Sequence, residues 1–140
     1  MILLDTNVVS EVMRAAPEPR IVHWLDSLPE TEVWVSAVTV AEIRIGIALL
    51  PDSKRRENLF ELAEQMFAED LSGQCLPFDC TAAKAYGQIV SERRKNGRPI
   101  TVEDAQIAAI AYTGQLTLAT RNVRDFSDIH GLQVLNPWTC

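Results

Sequence analysis

Short apolar runs alternate along the chain with longer segments in which apolar residues recur at helical spacing. The runs predict buried strands, and the periodic segments predict helices that pack on them. The predicted strands are Ile2–Leu4, Glu32–Ser36, Cys75–Phe78, Leu116–Thr120 and Gln133–Leu135. The predicted helices extend from Thr6 to about Met13, from Arg20 to Leu28, from Val38 to Leu50, from Ser53 to about Asp70, from Thr81 to about Lys95 and from Thr101 to about Thr113.

Strands that alternate with helices predict an α/β fold, in which a mainly parallel sheet is flanked by helices on both faces. Ligand sites in such sheets gather at the carboxyl ends of the strands. Asp5 directly follows the first predicted strand, and the segment Thr120-Arg121-Asn122 closes the fourth. We therefore expect polar side chains from these two segments to meet at one end of the sheet.

Length and composition fit a single domain over residues 1–140, with 47% hydrophobic and 23% charged residues. No apolar stretch is long enough for a transmembrane helix, and the first residues lack the features of a signal peptide. The three cysteines match no zinc-ligand spacing, so free thiols in a reducing cytosol are expected. The net charge of −6 argues against coating of nucleic acid by bulk charge, but it allows a metal-assisted enzyme that acts on nucleic acid.

Asp5 and Asp104 each allow two interpretations. Asp5 is placed to cap the first helix, where aspartate is a preferred residue. The segment Thr101-Val-Glu-Asp104 resembles a capping box with aspartate in place of glutamate or glutamine. Asp104 shares its helix face with Ile107 and Ala108, and this face is expected to pack against the core. That position argues against a purely capping role. An acid on that side suits ligand binding better than capping.

Glu42 lies in a helix that is apolar nearly all round, which predicts that this helix is buried. Val38, Ile45 and Leu49 share its face. Arg44 is two positions away and points elsewhere, so it cannot pair with Glu42 along the helix. A buried carboxylate requires a partner, which leaves a salt bridge to a distant basic residue or a bound metal ion as the alternatives.

Three carboxylates gathered in one place repel each other, and their pKa values rise unless a cation lies among them. The sequence suggests no basic residue beside these three acids. Mg²⁺ or Mn²⁺ is then the natural counter-charge, because both ions prefer oxygen ligands. These ions suit phosphodiester hydrolysis by a metal-activated water. The residues alone therefore predict a metal-dependent site built around Asp5, Glu42 and Asp104.

Four segments, in this order, carry a resemblance to a known family: Ile2–Glu11, Val38–Ile43, Asp104–Ala109 and Leu118–Asn122. The chain resembles PIN-domain proteins, more narrowly the VapC-type toxins of bacterial toxin–antitoxin pairs and their FitB-like branch. The resemblance implies a PIN fold and a Mg²⁺- or Mn²⁺-dependent endoribonuclease that cuts cellular RNA. It also implies a homodimer and a cognate VapB- or FitA-like antitoxin, which blocks the site and binds promoter DNA together with the toxin.

The resemblance also assigns roles to individual positions. Asp5 and Asp104 match the metal ligands of the family, and Glu42 matches a further acid that binds the metal directly or through water. The fourth acidic position falls on Asn122, whose amide offers a carbonyl oxygen but no charge. The candidates that support the site are Thr6, Asn7 and Thr120. Asp125 lies three residues after Asn122, and it either compensates for the lost charge or only forms a turn.

Two basic clusters are candidates for contacts with RNA phosphates. Arg93-Arg94-Lys95 ends a predicted helix, where positive charge also favours the helix dipole, so a structural role is the alternative. Lys54-Arg55-Arg56 begins a helix, where the dipole disfavours positive charge, so it is slightly better placed than the first cluster for a nucleic-acid or partner contact. A solvated surface remains the default interpretation there.

Two other functions compete with the nuclease hypothesis. A haloacid-dehalogenase-type phosphatase also begins with an apolar strand that ends in aspartate, but it needs a second aspartate where this chain has Asn7. A non-catalytic nucleic-acid-binding regulator on a PIN scaffold is the second alternative, with Asn122 as a sign of lost activity. Cleavage of RNA by the purified protein distinguishes these alternatives from the nuclease.

Overall fold

Five parallel strands form the centre of the computed structural model, which describes residues 1–140. The strands are β1 Ile2–Leu4, β2 Val33–Ser36, β3 Cys75–Leu76, β4 Thr117–Ala119 and β5 Val134–Leu135. Their order across the sheet is β3-β2-β1-β4-β5, and every neighbouring pair is parallel. The predicted parallel sheet is therefore confirmed, with the first strand of the chain at its middle.

Seven α-helices connect and cover the strands. They are α1 Thr6–Val12, α2 Pro19–Asp26, α3 Ala37–Ala48, α4 Lys54–Glu64, α5 Cys80–Lys95, α6 Val102–Gly114 and α7 Val123–Phe126. The six predicted helices are all present, although the helix predicted to reach Asp70 continues beyond α4 as a π-helix over Gln65–Asp70. The four-residue α7 and a 3₁₀ turn at Glu30–Glu32 were not predicted, because segments so short carry no periodic pattern.

Alternating side chains of the central strands point into two separate cores. Leu3 lies opposite Leu118 in the sheet, and Leu4 lies opposite Ala119. Leu3 and Leu118 pack with α5 and α6 on one face, whereas Leu4 and Ala119 pack with α1 to α4 on the other. Each leucine buried in this way stabilises the fold by about 1.5–3 kcal/mol. The prediction of helices on both faces of the sheet is confirmed.

The prediction that α3 is buried nearly all round is wrong. One stripe of this helix faces the core, and it consists of Thr39, Ile43 and Ile47. On the face that carries Glu42, Ile45 is 56% exposed and Leu49 is 78% exposed. A single stripe is enough to anchor a helix, so the remaining apolar residues stay at the surface. Glu42 is accordingly half-buried and lies beside exposed apolar side chains.

Arg93 serves the structure, in agreement with one of the two interpretations of its basic cluster. Its buried guanidinium lies 3.0 Å from the Asp128 carboxylate and donates to the backbone oxygens of Arg98 and Asp125 at 2.7 Å. These bonds fix the segment around α7 against the end of α5. Arg94 is exposed. No helix in the fold has the length and apolar character needed to cross a membrane.

Candidate functional site

A polar cavity of about 470 Å³ lies at the carboxyl ends of β1 and β4, and no hydrophobic residue lines it. Four of its lining residues are the predicted Asp5, Glu42, Asp104 and Asn122. They come from four places in the fold: the ends of β1 and β4, the helix after β2, and the first turn of α6. The other lining residues are Thr6, Asn7, Ser10, Glu11 and Arg14.

Asp5 is only 4% exposed and uses both carboxylate oxygens. Oδ1 accepts the N–H of Thr6 at 2.8 Å, so Asp5 caps α1 as one interpretation predicted. Oδ2 accepts the hydroxyl of Thr120 at 2.7 Å and the amide of Asn7 at 3.4 Å. A carboxylate has about four acceptor positions, so capping leaves room for a further contact at the cavity.

Thr120 is fully buried and joins three parts of the site. Its hydroxyl donates to Asp5 and accepts the Asn7 amide at 3.2 Å and the N–H of Asn122 at 3.0 Å. Asn7 in turn accepts the N–H of Arg121 at 3.2 Å. The loop after β4 is thereby fixed to the start of α1. The side chain of Asn122 makes no hydrogen bond and lines the cavity.

Glu42 is positioned by a chain of hydroxyl groups. Its Oε1 accepts the Thr6 hydroxyl at 2.7 Å, and that hydroxyl lies 3.1 Å from the hydroxyl of Thr39. Thr39 is fully buried, and its N–H donates to Ser36, the residue that caps α3. No basic residue pairs with Glu42, so the salt-bridge alternative for this residue is wrong.

Asp104 lies in the first turn of α6, which is capped by Thr101. The Thr101 hydroxyl accepts the N–H of Asp104 at 3.2 Å. The reciprocal bond of a capping box would run from the N–H of Thr101 to the Asp104 carboxylate, and this bond does not form. The half-buried carboxylate lines the cavity, and the Thr101 side chain beside it lowers its pKa in part.

Burial raises the pKa of Asp5 above its ordinary value, and the bonds from Thr120 and Thr6 only partly offset this effect. The pKa of Asp104 is raised first by burial and then by the charge of Asp5, with smaller contributions from Asp125 and Glu42. Asp125 lies exposed in α7 and also raises the pKa of Asp5. The negative charges of these carboxylates therefore repel each other and disfavour ionisation, and a cation bound among them would reduce this repulsion.

The cavity fits a hard divalent cation by its donor chemistry. All the metal-binding atoms that the predicted residues offer are oxygens, which Mg²⁺ and Mn²⁺ prefer, and no basic residue pairs with Asp104. No three acidic, histidine or cysteine side chains form a preassembled metal cage. Mg²⁺ retains several waters in most protein sites, so ligands spread over a cavity wall agree with this ion better than a closed cage does.

Sequence reasoning missed Ser10, Glu11 and Arg14, and the expectation that no basic residue lies beside the acids was wrong. Arg14 lines the cavity, with Nη1 3.0 Å from the buried Glu11 carboxylate. The signal was present in the helical spacing from Asn7 onward, because positions three, four and seven residues further on share its face. Those positions hold Ser10, Glu11 and Arg14.

Comparisons with known proteins find chains of similar sequence and fold. Toxin FitB of Neisseria gonorrhoeae is 46% identical over 140 residues, with 99% of each chain covered. A VapC ribonuclease of Sinorhizobium fredii is 37% identical over 138 residues, covering 99% of this chain and 98% of the relative. A solved structure of FitAB bound to a DNA fragment superposes with a TM-score of 0.91 at 45% identity, covering 99% of this chain and 96% of that one. Residues 2–132 match the PIN domain, and the chain belongs to the PIN-domain family.

Proposed function

We propose that this protein is the toxin of a type II toxin–antitoxin pair, an endoribonuclease that needs Mg²⁺ or Mn²⁺ to hydrolyse phosphodiester bonds of cellular RNA. One observation carries the proposal: Asp5, Glu42 and Asp104 line a single polar cavity in which the pKa values of both aspartates are raised. The identity to toxin FitB and to a VapC ribonuclease over nearly the whole chain supports it. The rival phosphatase finds no support, because Asn7 holds Asp5 and Thr120 instead of offering an acid.

Asp5 and Asp104 would bind the ion directly, and Glu42 would bind it directly or through water. Asn122 would add a neutral carbonyl oxygen, because its side chain is not otherwise engaged. When bound, a divalent ion polarises the phosphate and lowers the pKa of a water molecule. The contribution of the chain is to hold these oxygens in place, through Thr120 and Asn7 at Asp5 and through Thr6 at Glu42.

The same proposal includes partners. A cognate VapB- or FitA-like antitoxin would cover the site and carry the pair to promoter DNA, and the related FitAB, whose structure was solved bound to a DNA fragment, supports this part. Exposed apolar side chains also support such a contact, since large exposed patches mark interaction surfaces. They lie on α3, directly after it and on α4, and one of them, Leu62, lines a groove of about 990 Å³ that shares Ser10 and Arg14 with the polar cavity. The exposed residues are Ile45, Leu49, Phe60 and Leu62.

We further propose that residues 1–140 act as one domain and as a homodimer in the bacterial cytoplasm. Both cores share the one sheet, which supports a single folding unit. All three cysteines are unpaired and exposed, a state that a reducing compartment maintains.

The test is cleavage of RNA by purified protein freed of any partner, with Mg²⁺ or Mn²⁺ and with EDTA. Asp5→Asn and Asp104→Asn are each expected to lower the cleavage rate by about 100-fold or more, since each removes a charged oxygen ligand. Asp26→Asn is the matched control, because Asp26 is exposed at the end of α2 and lies outside the cavity. Equal cleavage by wild type and Asp5→Asn would refute the proposal. RNA that binds but is never cut would support the non-catalytic regulator, for which Asn122 is the favouring observation.

A further inference from the structure

Arg14 is the only basic residue among the nine that line the polar cavity, where four carboxylates face the same space. A phosphodiester that enters this cavity meets strong negative charge, in a protein whose net charge is already −6. A divalent ion neutralises part of that charge at the acids. A second positive group at the wall would attract and orient the phosphate, and Arg14 is placed to supply it.

The guanidinium of Arg14 is anchored at one nitrogen and free at the others. Nη1 donates to both carboxylate oxygens of Glu11, at 3.2 and 3.0 Å, while no hydrogen bond uses Nε or Nη2. Glu11 is itself fixed, because it is 8% exposed and accepts the N–H of Glu18 at 3.0 Å. The Arg14 side chain remains 64% exposed. The guanidinium of Arg14 is therefore held by Glu11 at Nη1, while its Nε and Nη2 donors have no protein partner.

We infer that Arg14 is a substrate-binding residue, whose free guanidinium nitrogens receive an RNA phosphate at the rim of the polar cavity. This inference rests on the proposed function and names a residue that the acidic site alone does not explain. The buried Glu11 acts as a positioning residue, because it orients the guanidinium and so reduces the rotational freedom that binding must remove.

The competing explanation is that Arg14 only neutralises the buried charge of Glu11. The two explanations differ in the double variant Glu11→Gln/Arg14→Gln, which removes both charges together. The reference for the double variant is Glu11→Gln, because both lack the negative charge that repels the phosphate. If Arg14 serves Glu11 alone, the double variant binds RNA as well as Glu11→Gln. If Arg14 binds phosphate, the double variant binds RNA about tenfold more weakly than Glu11→Gln. Folding of each variant is checked by circular dichroism.

Binding of a short fluorescent single-stranded RNA is measured by anisotropy over a range of salt, with Mg²⁺ present and Asp104→Asn in every sample to prevent cleavage. Arg14→Gln is expected to raise Kd about tenfold and to reduce the slope of log K against log salt by about 0.7, the value for one phosphate contact to a single strand. Arg14→Lys keeps the charge and should preserve that slope. Lys84→Gln is the matched control, because it removes one exposed positive charge that lies away from the cavity and outside both basic clusters.

Wild-type affinity in Arg14→Gln, an equal loss in Lys84→Gln, or a double variant that binds RNA as well as Glu11→Gln would each overturn the inference, as would a chain that binds no RNA at all. Cleavage assays with the natural Asp104 restored separate this failure from that of the proposed function. RNA binding that depends on Arg14 without any cleavage would refute the nuclease and keep the Arg14 contact. Cleavage with an unchanged KM in Arg14→Gln would refute the Arg14 contact and keep the nuclease.

Discussion

Thr120→Val tests whether the buried hydroxyl of Thr120 stabilises the charged form of Asp5. Valine keeps the shape of threonine and removes only the hydroxyl, which donates to Asp5 at 2.7 Å inside the fold. A hydrogen bond to a charged group is worth about 1.5–3 kcal/mol, against about 1 kcal/mol for a neutral one. The other two partners of this hydroxyl are the Asn7 amide and the Asn122 N–H, which belong to a half-buried and an exposed residue. We therefore expect a loss of about 2–3 kcal/mol in the free energy of unfolding at neutral pH.

The size of this loss depends on pH, and the sign follows from the pKa. The Thr120 hydroxyl lowers the pKa of Asp5, although burial raises it more. Its contribution is thus fully present while Asp5 is charged and is lost as the pH falls through the Asp5 pKa. Urea unfolding with EDTA, followed by circular dichroism, should give a smaller difference near the ordinary carboxyl pKa of about 4 than at neutral pH.

Thr117, at the start of β4, provides a control for Thr120, which directly follows that strand. It separates the loss of the bond to Asp5 from the general cost of changing threonine to valine. The Thr117 hydroxyl donates to the neutral Gln133 side chain at 3.2 Å, near the surface. Thr117→Val should therefore cost less than about 1 kcal/mol and show no such pH dependence. If both variants lose the same stability, or if the Thr120→Val loss is unchanged at acid pH, the Asp5 explanation is incorrect.

Three further results are expected. Burial and the Asp5 charge raise the pKa of Asp104, so ionisation of Asp104 destabilises the metal-free fold as the pH rises. In EDTA at neutral pH, scanning fluorimetry should therefore give a higher melting temperature for Asp104→Asn than for wild type. Added Mg²⁺ should reverse that order. Thr6→Val removes the hydroxyl that donates to Glu42 at 2.7 Å, so kcat for RNA cleavage should fall about tenfold while KM changes little. An unchanged kcat would contradict the role of Thr6 in positioning Glu42. Arg93→Gln should lower the free energy of unfolding by about 2–4 kcal/mol, because one Asp128 oxygen and two backbone oxygens lose their donor, although Arg98 still bonds to the other Asp128 oxygen. Arg94→Gln should change the free energy of unfolding by less than about 0.5 kcal/mol.

The sheet and its helices were predictable because the signals are local. The apolar run Ile2–Leu4 ends at a capping residue, and Pro19 and Ser36 mark helix starts in the same way. Local pattern also explains why Asp5 and Asn122 were expected at one end of the sheet, since both follow strands and parallel strands share their carboxyl ends. The gathering of these residues in one cavity thus follows from strand order.

The environment of α3 was not predictable from its composition. Its residues are apolar on nearly every face. The sequence alone therefore does not show which stripe of the helix packs on the sheet and which stripe faces solvent or a partner. Arg14 was missed for a related reason, since its partner Glu11 is buried only because α2 closes over the end of α1. The π-helix that follows α4 is a tertiary effect as well, because both Ala63 before it and Leu71 after it reach the same core.

The central place of β1 has a consequence for the synthesis of the protein. The N–H of Asp5 bonds to the oxygen of Ala119, and its carboxylate bonds to Thr120, 115 residues further along the chain. Contacts of such long range form only after the intervening chain is available. A growing chain on the ribosome therefore carries the first aspartate of the site without its support, and a premature stop before Thr120 leaves the cavity unbuilt. Assembly of the site therefore waits for nearly complete translation.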